Sequence, residues 1–207
     1  MDDMPKGRES GPIERVFKTN IPRRDKFLSR LFGLFSEEVV RTWCAYDASP
    51  YSDLGRPTLR DPSSGTWSTL DFTFQRGEGN SRKVFAGELK CELEYNSYKY
   101  LRLADPGQLA HHTGQAFQLL RRFAADPQCL NLTIAGKAHR ADGAILVWGA
   151  ITDQGRDAVM EATGLTDVLS VEAMIADLNK WKPEGWARLI NDRRQWSNAL
   201  FDYLDGT

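Results

Sequence analysis

From Asp25 the chain reads DKFLSRLFGLFSEEVVRTWC, with apolar residues at positions 28, 31, 32, 35, 39 and 43. That spacing predicts an amphipathic helix, which Gly33 and Ser36 are expected to divide into two pieces. Residues 47–66 are dense in Asp, Ser, Pro and Gly and read as a long loop. WSTLDFTFQ, residues 67–75, alternates instead, with Leu70, Phe72 and Phe74 on one face and Asp71, Thr73 and Gln75 on the other. The turn formers RGEGN follow, and RKVFAGELKCELE is the return strand, so the pair predicts an antiparallel hairpin. Asp105 and Pro106 suit an N-cap and a first helical residue, opening a helix expected to run to about residue 125. LNLTIAG and AILVWGAI read as two further strands with a turn at KAHRADG between them. From Asp157 onward the pattern is mostly helical, with Pro183 placed to start the last helix and Trp186, Trp196, Phe201 and Tyr203 along it. This order predicts an α/β (α+β) fold with a central mixed β-sheet flanked by helices.

Composition narrows the reading. A chain of 207 residues supports one ordinary core, and the expected organisation is an N-terminal arm over 1–20 followed by a single domain over 21–207. The core of that domain is expected over about 25–151, with C-terminal helices over about 155–205. Hydrophobic residues at 41% and charged residues at 27% are values of a globular chain. The formal charge of -1 gives no overall basic field, so an anionic partner must be met by local patches. Cys44, Cys91 and Cys129 have no CxxC spacing, which argues against a disulfide framework or a zinc knuckle. The polar start MDDMPKGRESGPIE lacks the apolar stretch of a signal peptide. AILVWGAI, the longest apolar run, is far too short to span a bilayer. The expectation is a cytoplasmic protein without a membrane partner.

The chemistry gathers on the return strand. Side chains alternate across a strand, so Glu88 and Lys90 point to one side and Leu89 and Cys91 to the other. Asp71, on the neighbouring strand, faces away from Leu70 and Phe72. Where the two polar faces coincide, two carboxylates and an ammonium converge. A hard cation such as Mg²⁺, with Mn²⁺ as a substitute, takes carboxylate oxygens and keeps several waters, which such a pair can offer. Lys90 beside it would orient or help deprotonate an attacking water and neutralise phosphate charge. The same three residues would also suit the solvated face of an exposed hairpin, with Lys90 paired to an acid across the ladder.

LDFTF, a short turn and AGELK together resemble the PD-(D/E)XK nuclease superfamily, which has the restriction-endonuclease-like fold. Asp71 stands for the first acid and Glu88-Leu89-Lys90 for the E-x-K element, the one acid-x-Lys in the chain. Leu70 occupies the place where the family's name has Pro. The resemblance implies a Mg²⁺-dependent deoxyribonuclease in which Asp71, Glu88 and Lys90 are catalytic and Asp71, Glu88 and an acid of the first helix, Glu38 or Glu37, are metal ligands. The two helix acids equally suit a helix N-terminus. Gln108 and His112 resemble the Gln-x-x-x-Tyr element of the RecB-like branch, with His in place of Tyr. Together with Gln115, two turns along the same expected helix face, they are candidate substrate contacts. So are Tyr98, Lys99 and Arg102 in YNSYKYLR, where tyrosines could stack on bases and cations meet phosphates.

The expected function is hydrolysis of DNA phosphodiester bonds, in bacterial or phage DNA processing or antiviral defence. The alternative is a nuclease-like DNA-binding or assembly module, inactive alone, that works within a larger complex. DNA is the expected partner, with a homodimer through the aromatic C-terminal segment or a larger assembly as further candidates.

Overall fold

A computed structural model of the chain describes residues 25–90 and 102–206, and for residues 25–29 the backbone alone. The expected arm over 1–20, and Cys91, Tyr98 and Lys99, lie outside that description.

The structure is a mixed central sheet flanked, among the described residues, by five α-helices. Helix α1 (Asp25–Cys44) is followed by strands β1 (Ser52–Asp53), β2 (Pro57–Arg60), β3 (Trp67–Thr69), β4 (Phe72–Arg76) and β5 (Lys83–Leu89). Then come β6 (Arg102–Leu103), α2 (Gln115–Ala125), β7 (Asn131–Ile134), β8 (Lys137–His139), β9 (Gly143–Trp148) and β10 (Ala150–Ile151). The chain ends with α3 (Asp153–Thr163), β11 (Asp167–Ser170), α4 (Val171–Trp181) and α5 (Glu184–Asp205). The central sheet has the order β1-β4-β5-β9-β11. Strands β1, β4 and β5 pair antiparallel, whereas β9 lies parallel to both β5 and β11. A second, antiparallel sheet runs β3-β2-β7-β8, and β10 pairs with β6 in parallel.

Alternation within the strands builds two cores, one on each face of the central sheet. Phe72, Phe74, Phe85, Ile145 and Val147 meet Phe32, Val39, Val40 and Trp43 of α1, Met174 and Leu178 of α4, and Trp186 of α5. On the other face Val84, Ala86, Leu146 and Trp148 meet Phe117, Leu120 and Phe123 of α2, Val159 of α3, and Leu59 and Leu132 of the second sheet. Strand β9 feeds both cores, which explains why AILVW is apolar without interruption. Tyr51 and Asp167 are buried polar groups that satisfy each other, the phenol donating to the carboxylate at 2.9 Å while Arg156 closes it from α3. Burial and the neighbouring Asp167 push the Tyr51 phenol up to about 12.

Five expectations are corrected. Helix α1 is continuous through Gly33 and Ser36, because the buried Phe32, Val39, Val40 and Trp43 outweigh a local cost of about 1 kcal/mol for a glycine. Glu37 and Glu38 therefore sit in mid-helix, not in a first turn. The loop over 47–66 contains β1 and β2. WSTLDFTFQ is two strands in two sheets, broken at Leu70 and Asp71. The helix expected over 105–125 is a short 3-10 turn at Pro106–Leu109 followed, after HHTG, by α2. The region after Asp157 also supplies β11, an edge strand of the central sheet.

Candidate active site

Strands β4 and β5 place the acids. Phe72 pairs with Gly87 across the ladder, so one step further along the register Asp71 stands opposite Glu88. Gly87 allows the strands to close there: a Cβ at this position would lie 2.5 Å from Cε2 of the buried Phe74 ring. Asp71 sits in the bend where the chain leaves the second sheet for the central one, and its Oδ2 accepts the Leu89 N–H at 2.9 Å. Its Oδ1 faces the Arg56 guanidinium at 3.4 Å. Arg41 of α1 donates to the Asp71 carbonyl at 3.4 Å and packs its guanidinium over the Phe72 ring, while its other amine holds Glu37.

Glu88 is only 3% exposed, next to last in a strand whose preceding residues Val84–Gly87 are buried. Its Oε1 receives the Lys90 ammonium at 2.6 Å, but Oε2 is buried and has no hydrogen-bond partner. Burial, then the facing Asp71 carboxylate, raises the Glu88 carboxyl from the ordinary 4.5 to about 7, with Lys90 acting in the opposite direction. The backbone of Lys90 continues the ladder, its N–H donating to the Val147 carbonyl at 2.9 Å. Its side chain lines a cleft of about 460 Å³ with Gly33, Leu89, His111, His112, Thr113 and Gly114. The cleft lies at the carboxyl end of β5, a position that ligands favour in sheets with parallel strands.

The structure thus brings Asp71, Glu88 and Lys90 together and separates them from most of the other candidates. His112 reaches the cleft, with its ring edge-on to Phe117 and Trp148 and against His111. Glu38 is held by Arg193 of α5, through Nε at 2.9 and 3.1 Å and more closely through Nη2. Gln108 serves the backbone: Oε1 accepts the Ala104 and Asp105 N–H groups and Nε2 donates to the Arg102 carbonyl, completing a capping box with Asp105. Gln115 donates to the Trp67 carbonyl and ties α2 to β3. Arg102 pairs with Glu172 at 3.2 Å. Tyr98 and Lys99 are outside the described residues.

Arg56, Arg41 and the His111, Thr113 and Gly114 neighbours of His112 escaped sequence reasoning. Arg56 lies in a stretch read as loop, and nothing in its spacing ties it to Asp71. Reading residues 105–125 as one helix concealed the connection in which His111 and Thr113 lie.

A divalent cation fits the carboxylate pair on two counts: Oε2 of Glu88 is a buried acceptor with nothing donating to it, and Asp71 lies opposite. Among the described residues no group of three or more His, Cys, Asp or Glu side chains is arranged to hold a metal ion. Magnesium sites need no more than one or two carboxylates, the remaining positions going to water and substrate phosphate.

Comparison of the chain with protein-family models, with curated proteins and with solved structures finds no match in any of the three.

Proposed function

We propose that this protein is a Mg²⁺-dependent nuclease of the PD-(D/E)XK type that hydrolyses DNA phosphodiester bonds. The observation that carries the reading is the buried Glu88 carboxylate, opposite Asp71 and 2.6 Å from Lys90, with one oxygen left without a donor. A surface hairpin with incidental charges would leave such a carboxylate hydrated; a buried acceptor without a donor costs about 1–3 kcal/mol, more for a charged group. Polar groups kept at that cost beside a cleft, with a raised carboxyl pKa, point to chemistry. The mixed sheet adds support, because the acid-bearing antiparallel pair β4–β5 passes through α2 to the parallel strand β9.

In this reading Asp71 and Glu88 would hold the cation, and the chemistry it would supply when bound is polarisation of a phosphate oxygen and a lowered pKa for water. The Leu89 N–H and Arg56 fix the rotamer of Asp71, so one carboxylate is preorganised. Glu88 takes part as the anion, after releasing its proton. Lys90 leaves its contact with Glu88 as substrate enters, orienting the attacking water and countering the charge that develops on the phosphate. The cleft beside Lys90 admits the strand, with His111 and His112 also lining it.

The test is incubation of the purified chain with supercoiled plasmid, linear duplex, single-stranded DNA and RNA, with Mg²⁺, Mn²⁺ or EDTA. Cleavage should require the metal, and Glu88→Ala and Lys90→Ala should each lower it by about a hundredfold or more without changing the circular dichroism. Unimpaired cleavage by the variants would remove the assignment. Binding of DNA without turnover would transfer it to a module that works within a larger complex.

A further inference from the structure

The second sheet turns one face outward. Along β2 the chain alternates, with Pro57 and Leu59 buried, Thr58 half-buried and Arg60 exposed. Across the ladder Thr58 pairs with Thr69 of β3, and Arg60 with Trp67. The Thr58 and Thr69 hydroxyls lie 3.2 Å apart, so these residues share the face that Leu59 leaves. Trp67, two places from Thr69, stands on it 52% exposed. Asn131 and Thr133 of β7, opposite Arg60 and Thr58, widen it on the other side. At the inner end the Leu70 N–H donates to the Pro57 carbonyl, which carries the same register past the end of β3. One place further stand Arg56 and Asp71, whose side chains meet at 3.4 Å. Cross-strand rows therefore lead outward from Asp71: first Arg56 with Asp71, then Thr58 with Thr69, then Arg60 with Trp67. Four strand residues separate the first row from the last, about 13 Å.

We infer that this face is a track for a single strand of DNA, with a base stacked on Trp67 and the phosphate backbone meeting Arg60. The inference rests on the nuclease reading for the place where the strand is cut, and goes beyond it in naming a single strand as the substrate. An exposed indole offers a face on which any unpaired base can stack, whereas the bases of a duplex already stack on one another. Arg60 is exposed and in no ion pair among the described residues, which leaves its guanidinium to a phosphate. Thr58, Thr69, Asn131 and Thr133 are uncharged, and Asp71 is the one carboxylate in the rows. One indole among arginine, threonine and asparagine lacks the contiguous apolar centre of a protein interface. The platform is also held in place. Gln115 of α2 donates to the Trp67 carbonyl and fixes the edge strand where the indole stands, and its neighbour Gly114 lines the cleft beside Lys90.

The test is binding of a labelled oligothymidylate, and of a duplex of the same length, followed by fluorescence anisotropy in EDTA so that nothing is cut. The single strand should bind more tightly. Trp67→Ala should weaken that binding roughly tenfold, and Trp67→Phe much less, because a phenyl ring still stacks. Arg60→Ala should weaken it too and lower the slope of log affinity against log salt concentration by about 0.7, the share of one phosphate contact. Both side chains are exposed, so the circular dichroism and melting temperature of the variants should match wild type. Alanine variants that bind the single strand as wild type does overturn the inference, even if the chain cuts DNA. So does a wild-type chain that binds no single strand, or binds the duplex more tightly. Single-strand binding that falls in both alanine variants and survives in Trp67→Phe upholds the track; if no metal then brings about cleavage, the nuclease reading alone fails.

Discussion

At the scale of single residues, the proposed chemistry turns on the protonation of Glu88. Its carboxyl, raised to about 7 by burial and by Asp71, is largely neutral in mildly acidic solution. A ligand that requires the anion must displace a proton, so metal binding and deprotonation are linked. Cleavage by the wild-type chain should therefore rise with pH through about 7, and more Mg²⁺ should move that midpoint downward. A rate profile that is flat across this range, or whose midpoint ignores the metal concentration, would contradict the role given to Glu88. Stability carries the same signature with opposite sign. The folded carboxyl keeps its proton to higher pH than the unfolded one, so the stabilisation present below the ordinary carboxylate range is lost as pH rises through about 7. Glu88→Gln, which cannot ionise, should gain in melting temperature relative to wild type between about pH 5 and about pH 8.

The elements decide which polar side chains are available. Asp71 and Glu88 face each other because the chain passes from the second sheet to the central one at Leu70 and Asp71, freeing the start of β4 to pair with β5. The 3-10 turn at Pro106–Leu109 has the contrary effect on Gln108, whose amide is consumed by the cap. Gln108→Ala should cost about 1 kcal/mol in denaturant unfolding, as loss of a cap does, and leave the KM for DNA unchanged. A raised KM with stability intact would return Gln108 to the substrate. Pairing with Arg193 gives Glu38 a similar structural occupation, joining α1 to α5.

Over the whole molecule, one sheet serves two cores. Strand β9 gives Ile145 and Val147 to one and Leu146 and Trp148 to the other, so neither core can melt without exposing the strand they share. Unfolding should accordingly be a single transition, superimposable by tryptophan fluorescence and far-ultraviolet circular dichroism. Two separate transitions would mean that the second sheet, or α5, is a unit of its own. Among the described residues, no helix is long and apolar enough to cross a membrane.

Much of this was legible in the chain. Period two in FTFQ, and the apolar runs VFA and AILVW, were sufficient to find β4, β5 and β9, because alternation and burial on both faces leave distinct traces in composition. Glu88 and Lys90 shared a face by strand periodicity alone, and the turn between the strands was short enough to bring Asp71 near them. Tertiary structure decided what no local pattern encodes: the continuity of α1 through Gly33, the division of WSTLDFTFQ between two sheets, and the partners of Glu38, Gln108 and Asp71. Periodicity reports which face of an element is buried. Which residue meets that face depends on contacts between segments as distant as Glu38 and Arg193, and these exist only once the cores have closed.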